Sequence, residues 1–149
     1  MLEVKNVDKF YDFKEHINKK TEKIQVLYDI NFSLENGDNL AILGVSGSGK
    51  STLATNIAIN QGIAKNKFML LIDTDPQKSI ATFLNIRNEE NHNKAFDFAY
   101  KYGENLKEFL QNDKGEKDIL IDTGGRDSRE MRIAIALSDI VIIPTIPSQ

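Results

Sequence analysis

The chain contains no cysteine among its 149 residues. That excludes disulfides and thiolate metal sites and fits a reducing compartment. No apolar run approaches the roughly 20 residues that a membrane-spanning helix needs, so direct membrane insertion is not expected. The start, Met1-Leu2-Glu3-Val4-Lys5, has no basic stretch followed by an apolar one, so it does not read as a signal peptide. A cytoplasmic protein is the expectation. Positive charge is not in excess either: the formal net charge is −3, which gives no whole-chain reason to expect nucleic acid or an anionic membrane as partner. The two histidines, His16 and His92, stand alone in polar segments and read as surface residues. What remains is a composition ordinary for a globular protein, long enough for one domain over residues 1–149 with a real core.

Hydrophobic periodicity divides the chain in two. Leu2 and Val4 alternate with Glu3 and Lys5, and Ile30, Phe32 and Leu34 with Asn31, Ser33 and Glu35, which predicts strands with one wet face. Lys14 to Lys23 reads as a solvated loop. Asn36-Gly37 suits the positive backbone angles of a tight hairpin. Leu40-Ala41-Ile42-Leu43 is apolar without alternation, as in a strand covered on both faces. From Lys50 the period becomes helical through Leu53, Ala54, Ile57 and Ala58, with Gly62 as a helix stop. Phe68 to Ile72, Ile119 to Ile121 and Ile140 to Ile143 read as further buried strands, with a minor strand at Phe96 and Phe98. Helices are predicted around Ile80 to Leu84, over Asn105 to Gln111 and over Ser128 to Leu137, and Arg87 to Lys94 reads as surface loop. Strands alternating with helices give an α/β fold with a mainly parallel sheet and right-handed crossovers, arranged in three layers and preceded by an antiparallel β segment.

The chemistry concentrates in Gly44-Val45-Ser46-Gly47-Ser48-Gly49-Lys50-Ser51, a complete G-x-x-x-x-G-K-[ST] sequence between a buried strand and a helix. In such a P-loop the glycines let backbone N–H groups curl around phosphate oxygens, and the helix N-terminus adds partial positive charge. Gly44, Ser46, Gly47, Ser48 and Gly49 therefore form the cradle. Lys50 reaches the β- and γ-phosphates, Ser51 ligates magnesium, and Thr52 touches the α-phosphate. Asp122 ends a buried strand, the place of the Walker B acid that serves magnesium. Asp73 and Asp75 end another, and ligands in open parallel sheets gather at the carboxyl ends of strands. Asp73 is the candidate catalytic acid beside Lys50. Gly124-Gly125 offers a backbone N–H to a γ-phosphate or a mere flexible turn. The implied ligands are ATP, or another nucleoside triphosphate, and Mg2+.

Two resemblances follow one another along the chain. Residues 1–52 resemble an ABC transporter ATPase of the oligopeptide or nickel importer type, through Leu2-Glu3-Val4-Lys5-Asn6-Val7, the stretch from Val26 to Leu34, and the form of the P-loop. That resemblance implies an aromatic stacked on adenine, matched by Tyr11 with Phe10 as fallback, and a residue packing near the nucleotide, matched by Val26. Residues 53–149 resemble the ParA-type partition ATPases, through Leu71-Ile72-Asp73-Thr74-Asp75-Pro76-Gln77-Lys78-Ser79, Ile121-Asp122-Thr123-Gly124-Gly125-Arg126-Asp127, and Ser138 to Pro144. It implies that Asp73 orients the attacking water, that Asp122 serves magnesium, and that the Asp122 strand lies directly beside the P-loop strand.

Each half departs from its family. The first lacks the Leu-Ser-Gly-Gly-Gln signature helix, the glutamine loop and the glutamate of its own Walker B motif. The second has Val45 in place of the extra P-loop lysine, and it stops before the part that in its family completes the fold and carries DNA-binding surface. A recombined or engineered chimera is the expectation. It should bind ATP with magnesium and turn it over weakly or not at all, with no nucleic-acid partner and no ATP-dependent sandwich dimer. The alternatives are an active ATPase subunit of ABC transport or of ParA-like partition, and a folded scaffold with no bound nucleotide.

Overall fold

A computed structural model describes residues 2–14, 21–64, 69–89 and 94–145. His16, His92 and Phe68 lie outside the described residues. Two compact units are present: one holds an N-terminal ribbon, the other comprises Asn36–Thr145.

The ribbon pairs β1 (Leu2–Lys14) with β2 (Thr21–Leu34) antiparallel, from Leu2 opposite Leu34 to Lys14 opposite Thr21. Both strands run further than their alternating segments predict, taking in Lys14 and residues 21–23 that read as loop. A polar strand still satisfies its backbone groups once a partner strand supplies the ladder. The register shifts near Asn6 and Asp29, whose φ values of 49° and 44° are the left-handed conformations those two residue types tolerate. There the Asn6 side-chain amide donates to Asp29 Oδ1 at 2.8 Å.

In the second unit β3 (Asn39–Ile42), β4 (Leu70–Asp73), β5 (Asp97–Tyr100), β6 (Ile119–Asp122) and β7 (Ile140–Ile142) form one parallel sheet in the order β5-β4-β6-β3-β7. The crossovers run through α1 (Lys50–Ala64), α2 (Ser79–Glu89), α3 (Gly103–Gln111) and α4 (Arg129–Leu137). This is the expected α/β architecture. Alternation along the central strands sends Ala41, Ile72, Ile119 and Ile121 to one face, where they meet Leu106 and Leu110 of α3 and Ile133 and Ala134 of α4. Leu40, Ile42, Leu71 and Leu120 are wholly buried on the other face, where α1 packs on β4 and β6. Ser128 caps α4, its Oγ accepting from Met131 N–H at 3.1 Å.

Several local expectations are corrected. Asn36-Gly37 closes no hairpin, because β2 and β3 belong to different sheets. Only Gly37 has positive φ, at 87°, whereas the two-residue hairpin turn needs it at both positions. Gly37 N–H instead donates to Asp118 Oδ1 at 2.9 Å. Gly62 does not stop α1, which continues to Ala64. The glycine is there for clearance, since a Cβ on it would lie 1.7 Å from the Ala95 carbonyl oxygen. The segment after Arg87 is helical through Glu89 rather than loop. Among the described residues no helix is long and apolar enough to cross a membrane.

Candidate nucleotide site

The phosphate loop follows β3 and leads straight into α1. Gly44, Gly47 and Gly49 have φ of 144°, 83° and 87°, all in the region that glycine alone enters without strain. At Gly47 and Gly49 a Cβ would meet nothing within 4 Å, so the backbone there borders open space of the kind a phosphate cradle requires. Gly44 is different: a Cβ would sit 2.9 Å from Ser48 Oγ and 3.0 Å from the Pro144 carbonyl. It lets the loop leave β3 close beside the segment following β7. Ser48 Oγ is buried with no hydrogen-bond partner. Lys50 is buried, and its Nζ folds back onto the Val45 carbonyl at 3.0 Å.

The acids come from neighbouring strands. β6 lies directly beside β3 and β4 beside β6, so that Ile42, Asp122 and Asp73 stand level across three strands. Alternation turns both carboxylates to the face occupied by α1. Ser51 Oγ donates to Asp122 Oδ2 at 2.6 Å, and Asp122 Oδ1 is buried without a partner. Burial, with the negative charge of Asp73 adding to it, pushes the Asp122 carboxyl up to about 6 against the help of Ser51 and Lys50. Asp73 is also raised, mainly by burial and further by Asp75. Its Oδ1 accepts from Asp75 N–H at 2.8 Å, Ile80 N–H in the first turn of α2 also helps hold it, and its Oδ2 has no partner. The partnerless, buried Asp122 Oδ1 beside the Ser51 hydroxyl offers the hard-oxygen chemistry that suits Mg2+. Such a cation would also supply the charge that these raised carboxyls lack.

Sequence reasoning missed how the loops are locked. Thr123 Oγ1 donates to the Ile42 carbonyl at 3.0 Å, and Thr74 Oγ1 to the Asp122 carbonyl at 3.1 Å. Each threonine ties the end of its own strand to the next strand in the sheet. The signal was present, for both β4 and β6 end in an aspartate followed directly by a threonine. Tyr100 was missed too; its hydroxyl donates to the Asp75 carbonyl at 3.1 Å. Gly125 approaches the P-loop itself, since a Cβ on it would lie 2.6 Å from Ser46 N. Tyr11 lies on the ribbon opposite Ile24, and Val26 falls where the ladder skips a residue between Leu27 and Gln25.

A parallel α/β sheet, a glycine-cradled helix N-terminus with a buried lysine, and a serine–aspartate pair at the next strand define a P-loop NTPase. Comparison with known proteins narrows this. The profile described as "ABC transporter" matches residues 27–138, and the chain belongs to that family of ATP-binding proteins. The match runs well past Thr52, through residues whose motifs resemble ParA. Among curated relatives, the chain is 51% identical over 43 residues to the aliphatic sulfonates import ATP-binding protein SsuB of Bacillus cereus, covering 29% of this chain and 17% of that protein. It is 45% identical over 58 residues to the Fe(3+) ions import ATP-binding protein FbpC of Haemophilus influenzae, covering 39% of this chain and 14% of the other. It is 42% identical over 53 residues to the macrolide export ATP-binding/permease protein MacB of Neisseria gonorrhoeae, covering 36% and 7%. The chain thus spans a minor part of each relative's length. Among solved structures, FlhF complexed with GTP/Mg(2+) superposes with a TM-score of 0.51 at 18% identity, over 74% of this chain and 44% of that one. That likeness shows the shared fold.

Proposed function

We propose that this chain is a magnesium-dependent ATP-binding domain that holds its nucleotide with little or no turnover. The observation that supports the reading is the 2.6 Å bond between Ser51 Oγ and Asp122 Oδ2 at the start of the helix that follows a complete glycine cradle. Lys50 binds the β- and γ-phosphates, and the loop N–H groups take the remaining phosphate oxygens. Bound Mg2+, held by Ser51 and Asp122, would supply positive charge against the phosphates. This site is local to one strand–loop–helix unit and one neighbouring strand. Hydrolysis asks more. Asp73 has to orient a water at a fixed distance from the γ-phosphate, and a small displacement forfeits most of the rate. Its carboxylate is partly committed to Asp75 and to α2.

The ParA-like reading of residues 53–149, and with it the recombined origin, is favoured by one relationship: β6 with Asp122 is the immediate neighbour of β3. The adenine-stacking role of Tyr11, the packing role of Val26 and a cytoplasmic location are proposed from the sequence alone. Active turnover in transport or partition, and a nucleotide-free scaffold, are the competing readings.

Thermal stabilisation by Mg-ATP is the test. At 100 times the dissociation constant a ligand stabilises a fold by about 2.7 kcal/mol. Lys50→Ala should lose most of that shift, and equal shifts in both proteins would remove the P-loop as the site. Asp73→Ala should keep the shift while removing any turnover, and unchanged turnover in it would remove Asp73 from the chemistry.

A further inference from the structure

The site is short of positive charge. Lys50 faces three carboxylates, for Asp73 and Asp75 both bear electrostatically on Asp122. A triphosphate adds more negative charge than one magnesium ion cancels. Lys78 bears electrostatically on Asp73, but its Nζ sits 5.0 Å from the centre of the Tyr100 ring. Beyond β6 the chain carries three arginines. Arg129 pairs with Glu104, and Arg132 pairs with Asp127 at 2.6 Å. Arg126 is exposed and makes no hydrogen bond or ion pair with the described residues.

The path of the chain places that free guanidinium. Gly124 runs beside Asp75, with a Cβ position 3.8 Å from the Asp75 carboxyl carbon, and Gly125 crosses within contact of Ser46. Arg126 is therefore the first side chain after the backbone passes over the open mouth of the P-loop. Its Cα is about 3.8 Å along the chain from that of Gly125, which itself meets the loop at Ser46. Guanidinium binds phosphate oxygens in forked geometry and stays charged.

The geometry points to Arg126 as a γ-phosphate contact within the same chain, one that makes the site prefer nucleoside triphosphate over diphosphate. The inference rests on the nucleotide reading above. The loop holds the α- and β-phosphates and Lys50 the β- and γ-phosphates, so losing Arg126 removes a contact made to the triphosphate alone.

Calorimetric titration with Mg-ADP and with a magnesium complex of a non-hydrolysable ATP analogue tests this in wild type, Arg126→Ala, Arg126→Lys and Lys50→Ala. Wild type should favour the triphosphate. Arg126→Ala should weaken analogue binding about tenfold, the scale of one charge-assisted contact, and leave Mg-ADP within about twofold. Arg126→Lys should recover part of the loss, and Lys50→Ala should weaken both ligands. An unchanged triphosphate-to-diphosphate ratio in Arg126→Ala overturns the inference while leaving the nucleotide site standing. Equal weakening of both ligands overturns it as well, because it assigns Arg126 to the loop's architecture. An analogue-driven dimer that Arg126→Ala abolishes assigns the arginine to a second copy and overturns the same-chain contact. Wild type that binds neither ligand overturns the nucleotide reading, and this inference with it.

Discussion

Ser51 Oγ and Asp122 Oδ2, 2.6 Å apart, join the first turn of α1 to the end of β6 with the two oxygens that a magnesium ion would claim. The bond holds the metal-serving pair together through a proton and so links the site to pH. Asp122 is pushed up to about 6 by burial first and by neighbouring Asp73 second, whereas an unfolded aspartate ionises near 4. Between those values the folded chain binds more protons than the unfolded one, so stability falls as pH rises. A difference of about two units corresponds to roughly 2–3 kcal/mol. In metal-free buffer, the melting temperature of wild type should decline from about pH 4 to pH 7 relative to Asp122→Asn. Asp97, held near 2 by Lys117 and Lys94, acts with the opposite sign below that window and is common to both proteins. Parallel melting curves across the window would show that Asp122 is not raised.

Gly62 sits near the end of α1, where a Cβ would meet the Ala95 carbonyl at 1.7 Å. In an open helix, glycine to alanine gains up to about 1 kcal/mol. Here the backbone of the neighbouring segment would have to move, and overpacking of this kind costs about 1–3 kcal/mol. Gly62→Ala should lower the urea midpoint, while Asn60→Ala on the exposed side of the same helix stays within about 0.5 kcal/mol of wild type. A stabilised Gly62→Ala would contradict the packing described.

Gly124 and Gly125 separate loop freedom from close approach. At Gly124 the added Cβ makes ordinary contact, 3.8 Å from the Asp75 carboxyl carbon; at Gly125 it lies 2.6 Å from Ser46 N. Neither has the positive φ that would make alanine strained for its own sake. Gly125→Ala should therefore displace the P-loop and weaken Mg-ATP about tenfold, or about 1.4 kcal/mol, while Gly124→Ala binds as wild type. Equal affinities for all three proteins would detach Gly125 from the phosphate site.

Much of this site was legible in the sequence because its signals are local. Gly44 to Ser51 fixes a backbone shape, and the apolar run before it and helical period after it fix where that shape sits. Asp73 and Asp122 were legible as strand ends because Phe68 to Ile72 and Ile119 to Ile121 read as buried strands. What was not legible depends on approach between distant segments. Gly62 looks like a helix stop until Ala95 comes against it, and Asn36-Gly37 looks like a hairpin until Asp118 takes the Gly37 N–H. The extent of β1 and β2 was hidden because pairing, not polarity, holds their lysine-rich ends in the ladder. Only the order β4-β6-β3 brings Asp73 and Asp122 level, and periodicity does not encode strand order.

The last prediction concerns assembly. As the two resemblances imply, ABC and ParA ATPases bury nucleotide between two subunits, each through residues missing from this sequence. The ABC mode closes with a Leu-Ser-Gly-Gly-Gln helix from the opposite subunit, which occurs nowhere in residues 1–149. The ParA mode sends an extra P-loop lysine across to the partner's phosphates. Val45 stands at that place, 61% exposed on the loop, and offers an apolar side chain where a cation is needed. Two triphosphates facing each other across such an interface would meet with Lys50 already committed to its own loop and the carboxylates of Asp73 and Asp122 close by. Burying charge without partners costs several kcal/mol per ion, and a valine contact returns far less. Any dimer of residues 1–149 should therefore form independently of nucleotide, for example through the edge strand β7, where Val141 is 37% exposed and Ile143, just after the strand, 59% exposed. Light scattering on Asp73→Ala protein, with and without Mg-ATP, should give one mass. A change from monomer to dimer that requires ATP and disappears in Lys50→Ala would show that some other residue replaces the missing cation.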